Sequence, residues 1–578
     1  MAAIINALDT YTPKQTGENG HLEYGWSNDI RERIVQFSFQ ITRTTTDQIA
    51  KLETVLSDIL TTLKFKIDST SIPERQVGLG YLTILYKMIG QTRDIIDGKG
   101  EYALTYMMIH TWYSFYPVLA FYALRCLVDF GDEGKTHQYG SWKDIKYFCE
   151  YCKSKGATVT VEFHPLIQCS IQLINEQLRK DSRLDSKSIS LAPRWVPREK
   201  STFGWIYTAL ACDYFSDYIE TAKSSSSYEK AVLKCKTDYR KLLSTLNKMI
   251  DTLQIKQCGK SWSEIDFTKV TSISLSKQKK AFLNKKSDNS IRSTEQDRIE
   301  CAEHFAEHIQ KGIKGEVEIK GKRIGMEDFT RQALELLRDD DQDQMDLLNM
   351  QWKDNSTQTG ALGKMVAMVD VSGSMSGDPM NAAIALGIRT AEKSLLGKRV
   401  LTFSASPKWC NLDGHDTFVD MVSVLSRAEW GMNTNFAAAL DMILNAIVET
   451  KLQPEEVEGM VLAIFSDMQM DSADHAGMSL YDSIAEKYSS TGIRLHGKPF
   501  KPPHILFWNL RSTTGFPSLS TQKNASMMSG FSPALLKLFC DQGIESLQSC
   551  SPWYLLVTSL ENERYKMMGD KIEEVVTI

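Results

Sequence analysis

Residues 364–376 read Lys-Met-Val-Ala-Met-Val-Asp-Val-Ser-Gly-Ser-Met-Ser. The apolar run Lys364–Val371 carries one acid, Asp370, and opens into two hydroxyls, Ser372 and Ser374. A strand that is apolar throughout, rather than alternating, belongs to a parallel sheet covered on both faces. The text downstream repeats the pattern. A helix over 379–396, a strand over Arg399–Ser404 and a helix over 434–449 follow. Then come a strand over Val461–Ser466, a helix over 479–489, a strand over His504–Asn509 and a helix over 532–541. Strands alternating with helices predict an α/β unit, and ligands of such sheets bind at the carboxyl ends of the strands.

Upstream the texture changes. From Trp26 to about Met350 apolar residues recur every three or four positions, as in Ile49, Leu52, Val55, Leu56, Ile59, Leu60 and Leu63. That spacing predicts about ten to fourteen helices in irregular antiparallel pairs, with no fixed repeat period. Residues 1–25 read as a polar, irregular arm. The acidic stretch 339–346, DDDQDQMD, reads as a solvated helix end or linker.

The 578 residues exceed one ordinary domain. Their formal charge is −5, which excludes a uniformly basic coat for nucleic acid. The charge is unevenly spread, because residues 151–300 hold 26 Lys+Arg against 17 Asp+Glu. Residues 351–578 hold 19 against 25. The eleven cysteines have no regular spacing, and the start MAAIINALDT is no secretory signal, so reduced thiols in a cytoplasmic protein are expected. The most apolar stretch, from Tyr102, is broken by His110, Ser114, Pro117 and Arg125, which predicts a buried helix pair and no membrane span.

Three loops fall at the predicted carboxyl ends. The first is Asp370-Val-Ser372-Gly-Ser374, the second Gly431-Met-Asn-Thr434-Asn435, the third Ser466-Asp467. Carboxylates and hydroxyls are hard oxygen donors, the set that suits Mg²⁺, or another divalent cation such as Mn²⁺ or Ca²⁺. Alternate positions in a turning loop can aim Asp370, Ser372 and Ser374 at one point, and Gly373 eases that turn. The competing explanation is helix capping, by Ser376 or Asp378 and by Thr434. No general base or nucleophile accompanies these loops, so binding rather than catalysis is expected and the protein is read as no enzyme.

The trio resembles the metal-ion-dependent adhesion site (MIDAS) of von Willebrand A-type domains, whose pattern is Asp-x-Ser-x-Ser, then a Thr, then an Asp. Here it maps onto Asp370, Ser372, Ser374, Thr434 and Asp467. The resemblance implies ligation by the two serines and often Thr434, with the two aspartates holding waters. One coordination position is then left for a partner's carboxylate or phosphate oxygen.

Further strings resemble a family of plant, fungal and giant-virus proteins of uncharacterised role that join a helical domain to a von Willebrand A-like domain. They are Thr92–Glu101 (TRDIIDGKGE), Tyr139–Asp144 (YGSWKD), Ala192–Pro197 (APRWVP), Phe507–Arg511 (FWNLR) and Ser529–Ser532 (SGFS). The layout is also similar to the Ro ribonucleoprotein (TROVE) family, in which a helical ring binds RNA. The implied fold is multidomain α plus α/β. An arm at 1–25 precedes a HEAT-like helical domain at 26–350. A von Willebrand A-like, Rossmann-type domain at 351–560 follows, then a tail or helix at 561–578.

RNA, structured or single-stranded, would be met in the basic half by Lys256, Lys260, Lys277, Lys279, Lys280, Lys285 and Lys286. Trp262, with Tyr239 and Phe282, could stack on bases; the plainer reading is solvated helices with core aromatics. Three smaller features complete the set. His304-x-x-Glu307-His308 matches an inverted zinc-peptidase string but lacks a third ligand, and Cys149-x-x-Cys152 lacks a second pair. Arg93, Asp94, Asp97, Lys99 and Glu101 form either a charged structural turn or a ligand-facing loop. The expected function is a binding scaffold that takes RNA in its helical half and a Mg²⁺-dependent ligand at the sheet. The alternative is a protein–protein assembly adaptor, in a virion or its assembly if viral, whose metal captures a partner's acidic residue.

Overall fold

The structure is a computed structural model and describes residues 11–132, 135–156, 163–184, 188–339, 341–427, 434–471, 478–540 and 544–576. The described part of the arm is not irregular. Lys14–Thr16 (β1) and Leu22–Tyr24 (β2) pair antiparallel around a turn closed by Gly17 and Gly20. Strands of three residues are too short for alternation to show in the text.

Between Ile30 and Ser356 the regular elements among the described residues are helices, the α-helices running from four residues (Ala192–Trp195) to twenty-six (Ser225–Ile250). The helix Thr46–Ile67 buries Ile49, Leu52, Leu56, Ile59, Leu60 and Leu63, one stripe at the spacing the sequence shows. It packs against the helix Ile72–Arg93. Among the described residues no helix is long and apolar enough to cross a membrane.

Beyond Ser356 a six-stranded sheet forms from Met365–Asp370 (β3), Arg399–Phe403 (β4), Lys408–Asn411 (β5), Val461–Ser466 (β6), His504–Asn509 (β7) and Ala525–Ser529 (β8). The order is β5-β4-β3-β6-β7-β8, parallel except at the β4–β5 edge. Counted from β3 this is the doubly wound order 3-2-1-4-5-6, whose winding reverses between β3 and β6. The sequence reading misses β5 and β8. The expected helix 532–541 is a 3-10 segment, Pro533–Phe539.

The packing crosses the boundary expected near 350. The cluster around β3 starts at Ile324 and includes Met326, Phe329, Leu336 and Trp352. The helix Met326–Asp339 lies on the sheet helix Asp378–Lys393. At the other end, the helix Glu563–Val575 buries Tyr565, Met568 and Ile572 and packs on the helix Ile72–Arg93. Periodicity shows that a helix has a buried face, not which neighbour covers it.

The polar seam between the two regions contains the string 92–101. The carboxylate of Asp94 accepts from Arg564 Nε (2.6 Å) and Nη2 (2.7 Å). Arg93 donates to both oxygens of Asp144, at 2.6 and 2.9 Å. Buried Lys99 donates to the carbonyls of Ser38 (3.0 Å) and Ile41 (2.9 Å) and to Ser529 Oγ (2.7 Å). Asn509 Nδ2 donates to the Phe39 carbonyl at 2.9 Å. The carboxyl end of the helix Ile30–Gln40 therefore lands on the carboxyl ends of β7 and β8. Burial lowers the Lys99 ammonium to about pKa 7, with Glu101 opposing. The string is a structural seam, and its ligand-facing reading is withdrawn.

Candidate metal centre

Asp370 closes β3, and Ser466 closes β6 beside it. Both are fully buried. Ser466 Oγ donates to Asp370 Oδ2 at 2.6 Å, and the Ser372 N–H donates to Asp370 Oδ1 at 2.9 Å. Ser372 Oγ and Ser374 Oγ stand 3.2 Å apart. Asp467, the next residue after β6, accepts from Arg511 Nε at 2.9 Å and from the Gln469 N–H at 3.1 Å. Burial, reinforced by neighbouring Asp467, raises the Asp370 carboxyl to about pKa 7. Burial also raises Asp467, with Arg511 opposing. Asp467 meets the Arg511 guanidinium, whereas Asp370 meets only neutral donors and the neighbouring acid.

Thr434 reaches the same place from another loop. Its N–H donates to Asp471 Oδ2 at 3.0 Å, and its carbonyl accepts from the Asp471 N–H at 3.0 Å. The next residue, Asn435, donates its N–H to the Ser404 carbonyl at 2.9 Å. Ser404 follows β4 and Asp471 follows β6, so this segment crosses the end of β3, the strand between them. Gly431, Met432 and Asn433 lie outside the described residues. Thr434 Oγ1 is buried without a hydrogen-bond partner among the described residues.

Capping does not account for these side chains. The helix Phe436–Thr450 is capped by Asn435, which accepts from the Ala438 N–H at 3.0 Å, not by Thr434. The helix Asp378–Lys393 starts after Gly377 with no side-chain cap. The left-handed glycine of the first loop is Gly377 at φ +93°, not Gly373. Met468, buried between Asp467 and Gln469, takes φ +63°, a backbone state that a long side chain disfavours and that clusters at binding sites.

Asp370, Ser372, Ser374 and Asp467 thus sit at the switch point of the sheet, and Thr434 stands in the neighbouring segment between Ser404 and Asp471. Their donors are oxygen alone, and among the described residues no group of three His, Cys, Asp or Glu forms a rival metal cluster. Sequence reasoning missed Arg511, which stands inside the string FWNLR, and Asp471, which no motif marks. It also missed the hairpin. The Glu18 N–H donates to Gln469 Oε1 (2.6 Å), Asn19 Nδ2 donates to the Gln469 carbonyl (2.8 Å) and Arg511 Nη2 donates to Glu18 (2.7 Å). The hairpin therefore braces the loop that carries Asp467.

The basic stretch behaves differently. Lys260, Lys277 and Lys286 are exposed, and Lys260 stands 3.2 Å from Glu295. Lys256 donates to the Glu264 carbonyl (2.8 Å) and Lys280 to that of Ser287 (3.3 Å), while Lys285 pairs with Asp341 at 3.6 Å. Lys279 is largely buried, donates to Gln332 at 3.0 Å, and is lowered by burial to about pKa 8. Tyr239 and Phe282 are core, and Trp262 lies under Arg298 at 3.6 Å. Those rings are used inside the fold, which corrects the stacking platform.

His308 is buried, His304 Nδ1 lies 3.0 Å from the Ser263 carbonyl and Glu307 pairs with Lys311 at 2.8 Å. The string is helix packing with a surface ion pair. Cys149 and Cys152 are buried core thiols, raised by burial.

Two family models match, both described as domains of unknown function: DUF2828 over residues 163–365 and DUF7788 over 364–573. They meet at the first residues of β3. The chain is also 28% identical over 499 residues to "Uncharacterized protein L728" of Acanthamoeba polyphaga mimivirus, across 83% of this chain and 79% of that one. These matches support a family of uncharacterised proteins with a giant-virus member. Neither description names a von Willebrand A or Ro-type domain, so those likenesses rest on residues and geometry.

Proposed function

We propose that this chain is a non-enzymatic binding scaffold whose von Willebrand A-like sheet unit holds Mg²⁺ and uses it to grip an acidic group of a protein partner. The observation that carries this reading is the buried, unpartnered Thr434 Oγ1, in a segment beside two buried carboxylates of which only Asp467 meets a cation, Arg511. An orphaned buried hydroxyl costs free energy, and a divalent cation removes that cost and the charge imbalance together. Ser372, Ser374 and Thr434 would hold the ion directly, with Asp370 and Asp467 behind them. When bound, the ion supplies a Lewis-acidic position for a partner's oxygen. The protein's own share is to keep the donors fixed, through Ser466, Asp471 and the hairpin. The helical region, locked to the same sheet end through Asn509, Ser529 and Lys99, presents a surface beside the grip. That arrangement suits an assembly adaptor.

Titration calorimetry of the full chain with Mg²⁺ tests this. One ion per chain is expected, with binding lost in Asp370→Ala. No heat at millimolar Mg²⁺, or the same heat in the variant, overturns it. RNA, the second reading, rests on the exposed Lys260, Lys277 and Lys286. It requires filter retention of single-stranded RNA that falls with salt and is lost in Lys277→Glu/Lys286→Glu.

A further inference from the structure

A second site stands apart from the sheet. A cleft open to solvent lies where Arg194 meets the segment 251–274. Lys256 and Lys269 stand on its wall, each matched by its own acid. Lys256 is 3.3 Å from Asp251, and Lys269 is 3.0 Å from Asp266. Arg194 is not matched. It is half-buried, lies 5.3 Å from the Trp195 ring, and has no hydrogen-bond or ion-pair partner among the described residues. Burial lowers its guanidinium, and no acid opposes that.

Three other inward-facing arginines meet carboxylates, Arg93 with Asp144, Arg564 with Asp94 and Arg511 with Asp467, and buried Arg298 donates to the Ala281 carbonyl. A guanidinium that is partly desolvated, unpaired and facing a cleft is a fork waiting for an anion. Two further features select the ligand. Ser274 Oγ accepts from Thr271 Oγ1 at 3.1 Å, which leaves its own hydrogen free to donate into the cleft. Leu253, Ile265 and Val270 give the cleft an apolar wall.

We propose that this cleft binds a small organic phosphate monoester, with the phosphate forked by Arg194 and the ester body lying on Leu253, Ile265 and Val270. A phosphate monoester offers several oxygens to one guanidinium fork and to the Ser274 hydroxyl, whereas Lys256 and Lys269 are balanced by Asp251 and Asp266, which also line the cleft. The string APRWVP thereby gains a role that the metal centre does not give it. The proposal is independent of the metal reading.

Phenyl phosphate, inorganic phosphate and phenol are titrated into the full chain by calorimetry. Saturable binding is expected for phenyl phosphate, weaker binding for inorganic phosphate and none for phenol. Arg194→Gln should weaken phenyl phosphate by about tenfold or more, Arg194→Lys by less, and Lys498→Gln, at an exposed lysine away from the cleft, should leave it unchanged. Circular dichroism checks that each variant is folded, and Arg194→Lys serves if the glutamine variant is not. Absence of saturable phenyl phosphate binding, or wild-type affinity in Arg194→Gln, overturns the proposal. A short RNA supplies the same chemistry at its 5′ end. Arg194-dependent binding of 5′-phosphorylated RNA, tighter than phenyl phosphate and absent for the 5′-hydroxyl form, overturns the small-molecule assignment.

Discussion

Asp144 in the helical region and Asp370 in the sheet region are both completely buried carboxylates, and they are solved in opposite ways. Asp144 accepts from Arg93 Nε and Nη2, from Tyr106 OH at 2.8 Å and from the Ser141 N–H at 2.8 Å. Its charge is closed within the fold. Asp370 accepts from two neutral donors and faces a second acid. Its charge is left open. On the proposed reading, a carboxylate that serves only structure is matched by the chain itself, whereas one kept for a ligand is matched from outside.

The contrast breaks most visibly at Arg93. Arg93→Met leaves Asp144 buried and unmatched, and removing one partner of such a pair costs about 3–5 kcal/mol. Urea unfolding should show a fall of that size. A loss under 1 kcal/mol would mean that Asp144 is not held as described.

Lys99 is the intermediate case, a buried cation whose hydrogen bonds go to neutral oxygens. Its pKa is lowered from 10.5 to about 7, so between those values the unfolded chain binds the extra proton. This contribution to stability is present in full above the unfolded pKa and is lost as pH falls through the folded one. Between pH 7 and about 10 the wild type should gain stability relative to Lys99→Met, by up to about 1.4 kcal/mol per pH unit. Parallel melting curves across that range would refute the placement of Lys99.

Much of the sheet was legible because buried parallel strands carry their signature in the text: β6 and β7 run as expected, and β3 and β4 within a residue at each end. The loops that carry the five oxygen residues were legible because strand ends place loops. The rest depended on contacts between distant segments. Nothing near Glu18 or Asp471 announces that a hairpin braces the third loop, or that a carboxylate positions Thr434. In the basic stretch, composition counts charges without saying which are paired with Asp251, Glu295 or Asp341. The string at 92–101 stands out in the text for a structural reason, the seam with Asp144 and Arg564.

Asp370→Asn should move in the direction opposite to Arg93→Met. The amide keeps both short contacts, because Ser466 can accept where it now donates. It removes the charge that faces Asp467. In EDTA at pH 8 the variant should melt no lower than wild type, with a gain of about 1 kcal/mol, yet show no rise in melting temperature with Mg²⁺. A loss of stability in EDTA would class Asp370 with Asp144 as a structural acid.

The smallest expected effect gives the sharpest separation. Thr434→Val exchanges a hydroxyl for a methyl of nearly the same shape, so packing is preserved. If Thr434 Oγ1 is a structural hydroxyl, its loss lowers stability with or without metal. Its oxygen is buried and has no partner among the described residues, so the exchange removes an unsatisfied group. Metal-free stability should hold or rise by under about 1 kcal/mol. Mg²⁺ affinity should fall, because an oxygen donor is gone, while Asn435 still caps the helix Phe436–Thr450 and keeps the loop in place. Calorimetry and melting on the same sample read the two quantities separately. Weaker Mg²⁺ binding at unchanged metal-free stability is the pattern that only a ligand oxygen produces.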